Sequence, residues 1–324
     1  ITRHFVGARG PAVQHAKLWL LHRISEDGTN RIDVCVSSTN LTRSAIRDQV
    51  QAGVRFLTPL GAKTSRAALQ SWGALVPFLR ELASHSGPAG EAAVEHWLQF
   101  LSRCRPPEGV TFIASVPGQH SGSDWGVRAL GKALHLSSHS ELDIFVPTVG
   151  NWTRDQIESW ARTVGTRPKR IGIAWVRKGH PWAKHWELPI SVVDALNESG
   201  VSVLDLCEAD GDARQRLHHS FTSDDPRWPH AKVYWVDRGT SPRMLVTSAN
   251  WSPSAWGAPS GKTQLRIRNF ELGILMSTRK RPFRTLKTMV DQPATVKEAM
   301  SEFEGNAPWA HATFDGRRLV VQTV

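Results

Sequence analysis

Apolar runs along the chain predict a series of short strands. Residues 15–22 and 31–37 predict two strands joined by the turn Ser-Glu-Asp-Gly-Thr-Asn, because Asp-Gly favours a tight hairpin turn. Further strands are predicted at 109–118, which ends in a Pro-Gly turn, and at 142–150, 170–176, 201–206 and 317–324.

Helical spacing and capping signals separate these strands. Helices are predicted at 62–82, 90–104 and 190–199, and in the second of them Val94, Trp97, Leu98 and Leu101 form a core-facing stripe. Thr153 and Gln156 form a capping box that opens a further helix, which Gly165 closes. The alternation of strands and helices predicts an α/β layered fold.

Three blocks of residues occur twice, in the same order. His-Ala-Lys stands at 15–17 and again at 230–232, each time before an apolar run. SSTNLTRSA at 37–45 matches TSANWSPSA at 247–255, and QAGVRF at 51–56 matches ELGILM at 271–276. An internal duplication explains this order, so we expect two similar halves, residues 1–135 and 136–324.

The first half carries less sequence ahead of its motif than the second. Strand and helix patterns precede His230 at length, whereas His15 stands close to the first residue. We therefore expect the first half to be N-terminally incomplete, with the remaining strands supplied by a further segment or a partner chain.

The balance of charged residues indicates which kind of molecule the protein binds. Forty Lys and Arg against 29 Asp and Glu give a formal net charge of +11, which indicates an anionic partner such as nucleic acid or, alternatively, a generally basic protein. The basic run at 277–287 predicts either a solvated loop or a contact to a nucleic-acid backbone.

Cysteine usage and hydropathy bear on the compartment. Cys35, Cys104 and Cys207 are odd in number and far apart, which argues against a zinc site and a disulfide framework. Neither a membrane-spanning apolar run nor a signal peptide is visible, so we expect a soluble intracellular protein without membrane contact, in the cytoplasm or nucleoid, or in a nucleus.

The duplicated residues suit phosphoryl transfer. Side chains two apart in a strand share a face, so each His is expected to project together with its Lys. Pairing the two copies would bring together two histidines, two lysines and the amides of Asn40 and Asn250. Fixed cations and amide donors can stabilise the charge on phosphate oxygens without a metal or a cofactor. One imidazole can attack phosphorus while the other protonates the leaving oxygen and then activates water.

These motifs resemble the phospholipase D superfamily and, within it, the tyrosyl-DNA phosphodiesterase family. That family places Gln after the first Asn and Glu after the second, at spacings close to those of Gln51 and Glu271 here. LVTSANWSPSAWG, followed by GKTQLRIRNFELGIL, is similar to the family's second motif region, and FIASVPGQHSGSDWG resembles another of its segments. The resemblance implies two phospholipase D-like α-β-α lobes, related by a pseudo-twofold axis, with the active site between them.

The resemblance also implies roles for the residues of this chain. His15 would be the nucleophile that forms a phosphohistidine bond, and His230 the general acid and then the base for water. Glu271 would orient His15, and Gln51 would orient His230. The groups implied to bind phosphate oxygens are Lys17, Lys232, Asn40, Asn250 and Ser252; for Ser252 the alternative is a helix cap.

The implied activity is metal-independent removal of 3′-phosphotyrosyl or other blocking adducts, including protein or peptide adducts, from single-stranded or frayed DNA ends. A nuclease that cuts internal phosphodiesters, within a defence or restriction system, remains the alternative, and a binding module with a relict site is a third reading. The family has a base-stacking aromatic shortly before the first His, and this chain has none there. Trp251 and Trp125 are candidates to replace it, with a core position as the alternative for Trp251.

Overall fold

A computed structural model describes residues 13–47, 49–175, 188–205, 228–237, 242–261, 263–278, 286–287, 310–314 and 319–323. The fold is mixed α/β. Its strands are β1 Val13–Gln14, β2 Leu18–Ile24, β3 Asn30–Ser37, β4 Gln49–Val50, β5 Gly53–Pro59, β6 Thr111–Ser115, β7 Gly118–His120, β8 Glu141–Val146, β9 Ile171–Trp175, β10 Ser202–Asp205, β11 Trp228–Pro229, β12 Val233–Asp237, β13 Arg243–Thr247, β14 Ala258–Ser260, β15 Gln264–Ile267, β16 Asn269–Ser277, β17 Leu286–Lys287, β18 Ala310–Phe314 and β19 Leu319–Thr323. Its helices are α1 Arg43–Arg47, α2 Arg66–Ser71, α3 Leu75–Ser84, α4 Gly87–Leu101, α5 Gly126–Leu134, α6 Arg154–Val164, α7 Ile190–Ser199 and α8 Pro253–Trp256, with a 3₁₀ turn at Pro168–Arg170.

Two sheets position the repeated blocks. The larger sheet has nine strands in the order β1-β16-β13-β12-β8-β9-β10-β17, with β6 also paired to β16. The smaller has three strands in the order β2-β3-β5, all antiparallel. Two short parallel pairs connect distant parts of the chain, because β1 pairs with β16 and β11 pairs with β4. Each of these pairs ends directly before a His-Ala-Lys block.

The described residues bury two apolar clusters, one on each face of β16. Phe270, Leu272 and Ile274 join a cluster formed with β3, β6, α3 and α4, whereas Leu275 joins a second cluster formed with α5, α6 and α7. The alternation follows from the two-residue period of a strand. As a result β16, which carries Glu271, is held rigidly between both cores.

Several sequence-based elements are confirmed. The hairpin β2–β3 turns at Asp-Gly, where Gly28 has a φ of +77°. The capping box of α6 is present, Gly165 ends that helix with a φ of +94°, and α7 spans the predicted 190–199. The stripe on α4 faces the core, with Leu98 and Leu101 buried. Two strand predictions are too long. Within 109–118 the strand β6 spans only Thr111–Ser115, and the prediction at 142–150 overlaps β8, which ends at Val146.

One predicted helix is wrong. Instead of a single helix over 62–82, the chain forms α2 and α3 with a break at residues 72–74. Gly73 has a φ of +52°, outside the helical region, and the buried Trp72 at the break donates its indole N–H to the carbonyls of Leu101 and Cys104. This tertiary anchoring overrides the helical spacing of the sequence. The next helix, α4, begins three residues earlier than predicted, because Pro88 is tolerated in a first turn.

A few predictions concern residues at or beyond the edge of the described ranges. Most of the basic run at 277–287, together with Cys207, lies outside the described residues. Cys35 and Cys104 are free thiols. Within the described ranges, no helix combines the length and the apolar character needed to cross a bilayer.

Candidate active site

The two His-Ala-Lys blocks lie at crossings between sheets rather than inside strands. The amide of His15 donates to the carbonyl of Phe270 on β16, at 3.1 Å, and two residues later the carbonyl of Lys17 accepts from Ser37 on β3, also at 3.1 Å. The chain therefore leaves one sheet at His15 and enters the other after Lys17. The prediction of a continuous strand over 15–22 is corrected, since β2 begins only at Leu18.

The second block repeats this crossing with the sheets exchanged. The amide of His230 donates to the carbonyl of Val50 at 2.8 Å, and the carbonyl of Lys232 accepts from Thr247 at 3.1 Å. Each histidine is thus tethered to the strand that leads into the other copy's Gln51 or Glu271. The parallel pairs β1–β16 and β11–β4 fix this exchange, which places His15 against Glu271 and His230 against Gln51.

Glu271 is the side-chain partner of His15. Nδ1 of His15 lies 2.9 Å from both carboxylate oxygens, and Glu271 is only 2% exposed. Burial opposes ionisation of this carboxyl, yet hydrogen bonds from His15, Ser248 and Asn269 keep its pKa below the ordinary value. An ionised Glu271 requires the proton of the imidazole to sit on Nδ1, which leaves the lone pair of Nε2 available.

His230 faces neutral oxygens on its Nδ1, and the amine of Lys232 lies beside the ring, 3.3 Å from Nδ1. That atom lies 3.0 Å from the carbonyl oxygen of Ser38 and 3.2 Å from Oε1 of Gln51. Because a carbonyl can only accept, Nδ1 carries the proton, and Nε2, which lies 3.2 Å from Nζ of Lys232, keeps the lone pair. Burial, followed by the charges of Lys232 and Lys17, lowers the pKa of His230 to about 4, although the Ser38 carbonyl acts in the opposite direction.

The orientation of the Gln51 amide is fixed by its neighbours. Oε1 accepts a hydrogen bond of 2.7 Å from the Ser38 hydroxyl, and Nε2 donates to Oε1 of Gln49 at 2.7 Å and to the carbonyl of Ala45 at 3.3 Å. A flipped amide would set its N–H groups against the N–H of His230, so the observed orientation is the one that supports that imidazole.

The two lysines carry strongly perturbed amines. Nζ of Lys17 donates to the carbonyl of His15 at 2.6 Å, and Nζ of the fully buried Lys232 donates to the carbonyl of His230 at 2.9 Å. Burial lowers the pKa of Lys17 to about 8. Burial and the charge of Lys17 lower the pKa of Lys232 to about 7. The negative charge of Glu271 acts in the opposite direction on the pKa of both lysines. An anion bound between these two lysines would offset the free-energy cost of burying their charges.

The amides and Ser252 have different surroundings. Asn40 and Asn250 are half-buried at the ends of β3 and β13, and Oδ1 of Asn250 is buried without a hydrogen-bond partner in the described part of the chain. The hydroxyl of Ser252 accepts from the amide of Ala255 at 3.2 Å, so Ser252 caps α8, as the alternative reading of the sequence expected. A role for Ser252 on phosphate remains a prediction.

Two glycines allow neighbouring strands to pack closely together just after Gln51 and Glu271 in the chain. A Cβ on Gly273 would come within 2.7 Å of Cβ of Thr247, and one on Gly53 within 3.1 Å of Cβ of Ser37. These glycines stand two residues after Glu271 and Gln51 in both copies. Side chains there would push β16 from β13 and β5 from β3, beside the buried serines.

The structure corrects one candidate and adds four residues. Trp251 is fully buried against Trp152 and Trp160, so it cannot stack on a base, whereas Trp125 is half-buried. No spacing in the sequence identifies the residues that support Glu271 and Gln51, although Ser-x-Asn recurs in both copies. These supporting residues are Ser248, Asn269, Ser38 and Gln49.

No set of three or more His, Cys, Asp or Glu side chains suited to holding a metal ion occurs in the described ranges. The positive charge next to the histidines is supplied by Lys17 and Lys232.

Comparisons with known proteins agree with the resemblance of the motifs. A model of the tyrosyl-DNA phosphodiesterase family matches residues 3–163 and 207–311, most of the chain. A His-to-Ala variant of yeast tyrosyl-DNA phosphodiesterase is similar in structure, with 15% identity, a TM-score of 0.52, and coverage of 80% of this chain and 68% of that chain. A His-to-Asn variant of the yeast enzyme gives 14% identity, a TM-score of 0.53, and coverage of 83% and 69%. The structural likeness shows a shared mixed α/β fold.

Proposed function

This chain belongs to the tyrosyl-DNA phosphodiesterase family and is a phosphodiesterase, and on that premise we propose that it removes 3′-phosphotyrosyl or other blocking adducts from DNA ends through a covalent phosphohistidine intermediate. The observation that carries the proposal is the unequal support of the two histidines. Nδ1 of His15 contacts a carboxylate, whereas the oxygens that Nδ1 of His230 contacts are neutral, and its further neighbour, at 3.3 Å, is the amine of Lys232. A carboxylate increases the basicity of an imidazole, and a neutral carbonyl fixes its direction without adding charge.

In the first step Nε2 of His15 attacks the phosphorus atom of the 3′ adduct. A bond forms between nitrogen and phosphorus, and the bond between phosphorus and the leaving oxygen breaks. The leaving oxygen takes a proton from Nε2 of His230. Glu271 stabilises the positive charge that develops on the imidazole of His15, while Lys17, Lys232, Asn40, Asn250 and Ser252 are the groups proposed to bind the phosphate oxygens.

In the second step His230, now neutral, accepts a proton from water. The resulting hydroxide attacks phosphorus, the bond between nitrogen and phosphorus breaks, and His15 is regenerated with its proton on Nδ1. The product is a DNA 3′-phosphate. The proton that His230 gave to the leaving group in the first step is thereby recovered from water.

Substrate binding must change the protonation of His230. With a pKa of about 4, this imidazole is neutral near pH 7, yet the first step needs a proton on Nε2. The cationic charges that lower its pKa belong to Lys232 and Lys17. A phosphodiester bound to these lysines offsets their charge, so the pKa of His230 rises when the substrate is in place.

The paired contacts also support the proposal of two pseudo-twofold related phospholipase D-like lobes, residues 1–135 and 136–324, with the site between them. The sheets differ in one respect. On β12, Tyr234 and Val236 are buried and the strand pairs with both β8 and β13, whereas within the described residues β2 pairs only with β3, and Leu21 is 43% exposed. This contrast supports our proposal that further polypeptide, of this or another chain, completes the first lobe.

The proposed substrate is a single-stranded or frayed 3′ end that carries a protein or peptide adduct, and the proposed location is intracellular. The family match does not favour internal cutting by a nuclease. An assay with two arms separates these readings: an oligonucleotide with a 3′-phosphotyrosyl end and an unmodified oligonucleotide, both in EDTA. Release of a 3′-phosphate end in the first arm alone supports the proposal. Internal fragments in the second arm, or no product in either, would contradict it.

A further inference from the structure

Behind the partners of the histidines lies a second layer of hydrogen bonds that is repeated in both copies. The hydroxyl of Ser248 donates to Glu271 and accepts from the amide of Leu272 at 3.1 Å. The hydroxyl of Ser38 donates to Oε1 of Gln51 at 2.7 Å and accepts from the amide of Ala52 at 3.0 Å. Both serines are fully buried, so their hydroxyls depend on protein partners; the carbonyl of Ala52, at 3.3 Å, is a longer contact of the Ser38 hydroxyl than Gln51 is.

A side-chain amide completes each layer, but the two amides act in opposite directions. Nδ2 of Asn269 donates to Oε1 of Glu271 at 3.1 Å. Oε1 of Gln49 instead accepts from Nε2 of Gln51 at 2.7 Å. Asn269 and Gln49 occupy matching positions, two residues before Glu271 and Gln51. The surroundings of Glu271 therefore supply only donors, and those of Gln51 supply a donor to its oxygen and acceptors to its nitrogen.

These opposite arrangements distinguish the two sites. A buried carboxylate is stabilised only where every neighbour donates, whereas a buried amide needs an acceptor on its nitrogen. We propose that Ser248 and Asn269 are positioning residues that hold an ionised Glu271 against His15, and that Ser38 and Gln49 are positioning residues that aim the Gln51 carbonyl at His230. The second layer thus decides which histidine is the nucleophile and which one transfers protons. This inference rests on the proposed function.

The leaving group separates the two roles in an experiment. Single-turnover reactions use two oligonucleotides, one ending in a 3′-phosphotyrosyl group and one ending in a 3′-nitrophenyl phosphodiester. The nitrophenolate departs without protonation, so adduct formation from it needs His15 but not the acid function of His230. Rapid quenching and denaturing gels measure the rate constants for formation and for decay of the protein–DNA adduct.

Ser248→Ala is expected to slow adduct formation about 10- to 100-fold with both substrates, as for loss of a hydrogen bond to a charged group. Ser38→Ala is expected to slow formation about 3- to 10-fold with the tyrosyl substrate only, and to slow decay by a similar factor with both. Asn269→Ala and Gln49→Ala, at half-buried positions, repeat the comparison if loss of a buried hydroxyl disturbs folding.

Ser140→Ala is the matched control, because Ser140 is also buried but its hydroxyl serves the turn at Ser137. Its rate constants should equal those of the wild type. Slowing of Ser38→Ala with both substrates to the same degree as Ser248→Ala, or no slowing of either variant, would overturn the inference while leaving the proposed function intact. A wild-type protein that forms no adduct would overturn the proposed function itself, and this inference with it.

Discussion

Nδ1 of His15 lies 2.9 Å from both carboxylate oxygens of Glu271, a residue 256 positions further along the chain. The contact exists because β1 pairs in parallel with the start of β16, so the backbone of one copy carries the histidine into the other. The reciprocal contact between His230 and Gln51 depends in the same way on the pairing of β11 with β4. Each histidine is therefore supported by a side chain of the other copy.

Glu271→Gln removes the charge behind the nucleophile and keeps its size. The rate constant for adduct formation is expected to fall about 10- to 100-fold, because the amide no longer stabilises a positive imidazole. Rapid-quench measurements with the 3′-phosphotyrosyl oligonucleotide provide the test. Glu141→Gln, on an exposed residue of β8, is the control and should leave the rate constant unchanged. An unaltered rate in Glu271→Gln would contradict the role of the carboxylate.

Gln51→Glu places a carboxylate against the second histidine. Its negative charge should raise the pKa of His230 from about 4 towards the ordinary value, since it counteracts the lysine charges that lower it. An NMR titration of the substrate-free protein, with the resonance assigned through His230→Asn, measures this shift. A His230 that titrates at the same pH in both proteins would show that its neighbours do not control its charge.

Lys232→Met should stabilise the substrate-free protein while removing a phosphate-binding group. The pKa of Lys232 falls from an ordinary 10.5 to about 7, so the unfolded state binds more protons than the folded state between these values. Stability therefore rises with pH across that window, and the cost of the buried charge is fully present below pH 7. Urea unfolding at pH 6 should show a gain of about 1–4 kcal/mol that shrinks towards pH 10.

Lys17→Met is the matched variant for this prediction. Lys17 is less buried and its pKa is about 8, so its gain should be smaller. A destabilised Lys232→Met protein at pH 6 would mean that the charge is compensated in the folded state and that the site is not strained by it.

An anion should bind between the lysines in a pH-dependent manner. Sulfate remains a dianion across the neutral range, whereas Lys232 and Lys17 lose their protons as pH rises through about 7 and about 8. We expect sulfate to raise Tm more at pH 6 than at pH 9, because binding to the folded state stabilises it. The double variant Lys17→Met and Lys232→Met should lose the pH-dependent part. An equal increase in that variant would identify a general salt effect.

The repeats in the sequence indicated side chains that lie together in the fold, whereas local patterns misplaced several boundaries of strands and helices. The duplicated His, Lys and Gln or Glu are side chains that the fold brings together, because equivalent positions of a repeat occupy equivalent places in the two copies. It could not place His15 and Lys17 outside a strand, since the crossing between sheets is enforced by Phe270 and Ser37, which are distant in sequence. The same holds for the break at Gly73, where Trp72 is anchored by residues of the following helix.

The supporting residues escaped prediction for a related reason. Ser38 and Ser248 were visible as a repeated serine in Ser-x-Asn, but their partners, Gln51 and Glu271, lie on neighbouring strands. A hydrogen bond across a sheet leaves no spacing rule in the sequence. Trp251 is a different case. Its position next to Asn250 in the sequence is compatible with a place in the core or at the ligand site, and only the packing in the structure distinguishes the two.

The most direct test of the account is to identify the residue that carries the DNA. His15→Ala and His230→Asn are mixed separately with a 3′-phosphotyrosyl oligonucleotide in EDTA, and the proteins are digested and mapped for a phosphohistidine peptide. The account predicts an accumulating adduct on His15 in His230→Asn, because water is no longer activated, and no adduct in His15→Ala. Equal adduct levels in the two variants, or an adduct on His230, would contradict it.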